Sequence, residues 1–138
     1  MNLDEALEML QAIDLPIGDY AVFGSGPLLV RGIISDVSDV DVISRGRAWE
    51  RAQAEGDLVH LEEHDITVAG FFGGRVTVGP AWAIGNVDID DAIDTAESIA
   101  GIPYVRLELV VAYKQIAGRP KDLEHLRLLQ TWLDSGRR

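Results

Sequence analysis

The sequence predicts an α+β domain. Three observations lead there: short apolar runs that stop at glycine-rich turns, longer segments with apolar residues at three- and four-residue spacing, and two such helical segments in succession near the C-terminal end. At 138 residues the chain is one domain's worth, read as residues 1–138 with no repeat, linker or low-complexity stretch.

Asn2 followed by Glu5 is a helix start with a capping box, and Leu3, Ala6, Leu7, Leu10 and Ile13 then recur at helical spacing up to Pro16 and Gly18. Tyr20-Ala21-Val22-Phe23 is an apolar strand halted by Gly24-Ser25-Gly26-Pro27. Pro27 suits a first helical position, so Leu28 to Arg31 reads as a short helix. A second strand runs from Asp39 to Ile43, and a helix follows from Ala48 to Ala54. Strands are expected at Leu58 to Leu61, Ile66 to Phe72 and Val76 to Val78, with Gly73-Gly74 as a hairpin turn. Asp88 to Asp91 open a helix expected to reach Ile99, with its carboxylates at the positive end of the dipole. Gly101-Ile102-Pro103 reads as a break, and helices over Leu107 to Ala117 and Pro120 to Leu133 are parted at Gly118. Together these elements make a short mixed sheet with helices on one side and a C-terminal helical pair. Trp49, Trp82 and Trp132 read as core or interface residues, and Leu123, Leu126, Leu129 and Leu133 as a core or dimer stripe.

Composition narrows the function. There is no cysteine, which removes disulfides, zinc ribbons and thiol nucleophiles, and no apolar run approaches a membrane span. The N-terminal residues lack the basic start and apolar middle of a signal peptide, so a cytoplasmic, soluble protein is the expectation. The 23 acids outnumber 12 bases for a net charge of -11, which argues against broad nucleic-acid binding. The charge is uneven. Residues 1–105 carry a net -14 and residues 106–138 a net +3.

The chemistry concentrates in Phe23-Gly24-Ser25-Gly26 and Ser38-Asp39-Val40-Asp41-Val42. Acids at i and i+2 of a strand project to one face about 6.5–7 Å apart, where a shared divalent cation can sit. Mg²⁺ takes a few carboxylate oxygens and keeps substrate phosphates as further ligands. Gly24-Ser25, at a strand-to-helix turn, offers backbone N–H groups and a hydroxyl to an anion. Such a turn beside such a strand is the machinery of metal-assisted phosphoryl transfer.

The segment resembles the nucleotidyltransferase superfamily: apolar-Gly-Ser, a 13-residue spacer from Gly26 to Ser38, then Asp-apolar-Asp-apolar. Gly101 to Val105, Leu107-Glu108, Lys114 and Arg119-Pro120-Lys121-Asp122-Leu123 resemble the tail of small prokaryotic members, so the likeness covers residues 18–133. It implies a minimal nucleotidyltransferase-like fold, with Asp39 and Asp41 as catalytic Mg²⁺ ligands and Gly24 and Ser25 holding phosphates. Lys114, Arg119 and Lys121 are the implied contacts to the triphosphate tail. The implied reaction moves a nucleoside monophosphate from a nucleoside triphosphate, with ATP the expected one, to an unidentified acceptor. A third carboxylate is implied on the strand after Gly73-Gly74-Arg75, where the sequence has Thr77; Asp65 is the substitute within reach of a different hairpin register.

Plainer readings stand beside these. Asp39 and Asp41 can be the solvated face of an edge strand, Ser25 a helix cap, Asp36 a turn residue, Lys114 a surface lysine, and Arg119 a partner of Asp39 or Asp41. Pro120-Lys121-Asp122 is also a good first helical turn. His60, His64 and His125 are too scattered for a metal cluster. The alternative function is therefore a catalytically impaired fold that binds a nucleotide or a protein. Without a separate acceptor domain, a second copy of the chain is one way to complete the pocket, so a homodimer is a further expectation.

Overall fold

Asn2 opens the first helix, α1 (Leu3–Ile13), with the reciprocal cap read from sequence. Its Oδ1 accepts the Glu5 N–H at 2.9 Å, and the Glu5 carboxylate accepts the Asn2 N–H at 3.1 Å. Ala6, Met9, Leu10 and Ile13 make the buried stripe. The computed structural model describes residues 1–81 and 87–136. Trp82 lies outside the described residues.

Strand β1 (Tyr20–Phe23) is wholly buried, as four consecutive apolar residues require. It turns through Gly24 and Ser25 into the five-residue α2 (Gly26–Val30), whose Leu28 and Leu29 are buried. After a loop, β2 (Val40–Ser44) runs antiparallel to β1, with Phe23 opposite Asp41. Asp39 therefore precedes the strand by one residue and does not begin it. Helix α3 (Gly46–Glu55) buries Ala48 and Ala52.

The next three strands, β3 (Asp57–Leu61), β4 (Ile66–Phe71) and β5 (Val76–Gly79), form an antiparallel meander turning at Gly73-Gly74 as predicted. Strand β5 pairs parallel to β2, which brings Thr77 opposite Asp41.

The stretch from Asp88 to Tyr104 departs from expectation. Helix α4 covers only Ile89–Asp94, and Glu97–Ile99 is a strand, β6, paired with β7 (Ile102–Tyr104). Ala100 and Gly101, both at positive φ, make the two-residue turn between them. Strands of three residues are too short to display an alternation, so the segment read as helix and break is a hairpin. Its β7 pairs parallel to β1. Among the described residues the sheet thus has seven strands in the order β3-β4-β5-β2-β1-β7-β6, mixed as predicted but wider.

Two helices complete the chain, α5 (Leu107–Ala117) and α6 (Pro120–Asp134), divided by Gly118 at φ 58°. The helices cover both faces of the sheet, which corrects the one-sided expectation. Gly56, at the end of α3, packs against Ala69 and Phe71, whereas Tyr113 of α5 meets Phe23, on the Asp41 side, edge to face at 5.2 Å. Trp132 and Leu129 are buried and Trp49 packs against the core, while Leu123 is 58% exposed. Arg45 ties the end of β2 to α4 through Asp90 and Asp94 and also reaches Asp19. Among the described residues no helix is long and apolar enough to cross a membrane.

Candidate functional site

Where β1 ends, Gly24 takes φ +68°, and Asp41 Oδ2 lies 3.2 Å from where a Cβ at this position would stand. A glycine is needed here twice over, for the left-handed backbone and for the carboxylate beside it. Ser25 follows with its hydroxyl half-buried, and the backbone of α2 turns away behind it.

These residues line a cleft of about 250 Å³ with Asp36, Asp39, Asp41, Arg119, Lys121 and His125. Six of the seven residues singled out from sequence therefore come together: Gly24, Ser25, Asp39, Asp41, Arg119 and Lys121. Lys114 sits behind the cleft wall. It is 1% exposed, and so is no surface lysine. Its ammonium donates to Ser25 Oγ at 3.0 Å, to Asp122 Oδ1 at 3.2 Å and to His125 Nδ1 at 3.0 Å, which occupies all three of its protons. A lysine only donates, so Nδ1 of His125 accepts and the ring proton resides on Nε2.

Asp122 organises this wall. Fully buried, it accepts from Lys114 and from Arg119 Nε at 2.6 Å, and its Oδ2 caps the Arg119 backbone N–H at 3.2 Å. Burial works against its ionisation, but the hydrogen bonds from Arg119 and Lys114 outweigh it and hold the carboxyl below its ordinary pKa. Arg119 is thereby bound to Asp122 and to the Tyr113 hydroxyl at 2.9 Å, not to Asp39 or Asp41. Burial pulls Lys114 down, with Asp122 opposing. Burial and the adjacent Lys114 lower the His125 pKa, so the imidazole is neutral at pH 7.

The two carboxylates have a different surrounding. Asp39 is exposed and accepts from Ser38 Oγ at 3.2 Å. Asp41 is half-buried, and neither a hydrogen bond nor an ion pair holds its carboxylate among the described residues. Burial, then repulsion from Asp39, push its pKa up to about 6. A carboxylate without a hydrogen-bond or ion-pair partner among the described residues, repelled by a second one that lines the same cleft, suits a divalent cation, which would relieve both burdens, so the donor set fits Mg²⁺. No group of three or more His, Asp or Glu comes together to hold a metal among the described residues. Asp65 lies in the turn between β3 and β4, 94% exposed and paired with His60 at 3.3 Å, away from the cleft lining.

Sequence reasoning missed His125 and Tyr113. A signal for His125 was present: it stands four residues after Lys121 on one helix, a spacing that shares a face. Tyr113 had no comparable signal, since its role follows from packing on Phe23.

Among the described residues, the seven-stranded mixed sheet and six helices, with their C-terminal helical pair, make a nucleotidyltransferase-like α+β fold. Among solved structures, the chain is similar to a "putative nucleotidyltransferase" from Thermotoga maritima, with a TM-score of 0.53 and 18% identity over 98% of this chain and 96% of that one. At that identity the likeness is one of fold. No protein-family model and no curated protein matches the sequence.

Proposed function

We propose that the protein is a nucleotidyltransferase that takes a nucleoside triphosphate, ATP first among them, with Mg²⁺. The observation that carries this reading is the convergence of the Gly24-Ser25 turn, Asp41, Asp39 and Lys121 on one cleft, with Asp41 Oδ2 3.2 Å from where a Gly24 Cβ would stand. Helix α2 has only five residues, so its dipole is short and the turn's own N–H groups do the phosphate holding. Asp39 and Asp41 would hold the cation, which supplies neutralisation and orientation of the phosphates. Lys121, exposed at the cleft and without an ion pair among the described residues, is the mobile countercharge for the phosphate tail. Lys114 then acts indirectly: with His125 it fixes the Ser25 hydroxyl at the turn. In the transfer, an acceptor oxygen bonds the α-phosphorus, the bond to the bridging oxygen breaks, pyrophosphate leaves and the hydroxyl proton passes to water.

A second reading is supported by Thr77, which stands opposite Asp41 where a third carboxylate is expected. Under it the same cleft binds the nucleotide without transferring it. Calorimetric titration of the four nucleoside triphosphates, with and without Mg²⁺, on wild type and on Asp39→Ala and Asp41→Ala decides first whether a nucleotide binds. The proposal expects Mg²⁺-dependent binding that both substitutions abolish; binding indifferent to Mg²⁺, or none, refutes it. Pyrophosphate release in the presence of a cell extract then separates transfer from binding alone.

A further inference from the structure

Asp41 borders two hollows, and the second has a different chemistry. About 210 Å³ in volume, it shares only Asp41 and Tyr113 with the cleft already described. Strand register explains its floor. Asp41 lies opposite Thr77, and Thr77 opposite Gly70, so these three occupy one face of the sheet. Two and four residues back from Gly70, Val68 and Ile66 lie on that same face. Gly79 contributes no side chain, which leaves the floor recessed. Tyr113, which also lines the cleft, borders the hollow, together with Leu61 at the end of β3 and His64 in the β3–β4 connection.

Among the described residues no lysine or arginine lines this hollow. A phosphate or carboxylate would give up water for apolar walls and find no cationic side chain in that lining. A cationic ligand would have to leave water for apolar walls, with a single carboxylate that the reading above gives to the metal. An uncharged molecule has neither difficulty, and the walls offer it Val68, Ile66 and Leu61 for packing and the Thr77 hydroxyl and His64 imidazole for hydrogen bonds. This is the usual make-up of a small-molecule site, mostly apolar with a few convergent polar groups.

We infer that this hollow is the acceptor pocket, built for a small uncharged alcohol whose apolar body packs on Val68 and Ile66 while its hydroxyl sits beside Thr77, next to Asp41. The inference rests on the transfer reading above. The oxygen held there is the one that bonds the α-phosphorus as pyrophosphate departs and its proton passes to water. Thr77 then has a purpose of its own: a carboxylate at that position would charge the pocket and favour a cationic acceptor, whereas a hydroxyl keeps it neutral.

The test uses benzyl alcohol and toluene as probes, read by methyl and amide chemical shifts of the full chain. Benzyl alcohol is expected to shift the Val68, Ile66 and Ala81 methyls saturably while leaving the Gly24 and Ser25 amides in place. Toluene should bind more weakly. Thr77→Val, which keeps the shape and removes the hydroxyl, should erase the preference for the alcohol over toluene. Val68→Trp, which fills the hollow, should abolish both responses, with amide dispersion reporting whether it folds. The inference is overturned if benzyl alcohol gives no saturable shift, if Thr77→Val leaves the preference intact, or if the adenine of MgATP moves the same methyls, which would make the hollow a base site. The transfer reading fails separately if MgATP leaves Gly24 and Ser25 unmoved; a benzyl alcohol response would then stand as binding, and the acceptor role would be overturned.

Discussion

Asp41 is where function and stability pull against each other. Its pKa of about 6 in the folded chain exceeds the ordinary 3.8, so the folded state retains a proton that the unfolded chain has already released over that interval. This group's contribution is therefore most favourable below pH 3.8, declines as pH rises, and levels off above 6. Asp41→Asn is expected to be more stable than wild type by about 2–3 kcal/mol at pH 7, a gap that closes in acid. Urea denaturation across pH measures it, and an equal gap at pH 3 would contradict the assignment. Mg²⁺ should narrow the gap in wild type at neutral pH, because a cation removes the same penalty. Gly24 is the companion residue. Gly24→Ala places a methyl 3.2 Å from Asp41 Oδ2 at a φ of +68°, with an expected loss of about 1 kcal/mol. Nucleotide titration should register a larger effect than thermal melting does, since the carboxylate must move.

At the scale of elements, α5 and α6 are joined by charge as well as by packing. Asp122 is the shared partner of Lys114 and Arg119, and it also caps α6. Asp122→Ala leaves the Lys114 ammonium buried without its carboxylate, so a loss of about 3–5 kcal/mol is expected by chemical denaturation. The double variant Lys114→Met/Asp122→Leu should recover most of that loss while freeing Ser25 and weakening nucleotide binding. A double variant as unstable as the single one would show that packing, not the buried charge, dominates. The Asp122 cap was legible from sequence in part, as an acid in a first helical turn. Its grip on Lys114 was not, because residues eight apart in two helices meet only after Gly118 reverses the chain. The hairpin β6–β7 has a related explanation: each strand draws its stability from pairing with a neighbour, and three residues carry too little pattern to announce it.

Across the whole molecule, the proposed ligand bridges parts far apart in sequence: the β1–α2 turn, the start of β2 and the α5–α6 junction. Binding of MgATP is thus expected to slow amide exchange at Gly24 to Leu28 and at Lys121 to His125 together. Protection of one region alone would rule out a shared ligand. At a free ligand concentration one hundred times Kd, unfolding free energy should rise by about 2.7 kcal/mol. What the sequence determined by itself was local: the Asn2 cap, the Gly24-Ser25 turn, the paired acids, the charge split at residue 105, and the helix division at Gly118. Each rests on residues close together along the chain, where capping, φ preference and periodicity act directly. The tertiary structure alone decided that Thr77 faces Asp41, that Lys114 lies beneath Ser25, that His125 joins them, and that helices flank both faces of the sheet. Those facts depend on strand register and helix reversal, and both are set by burying the whole apolar surface at once.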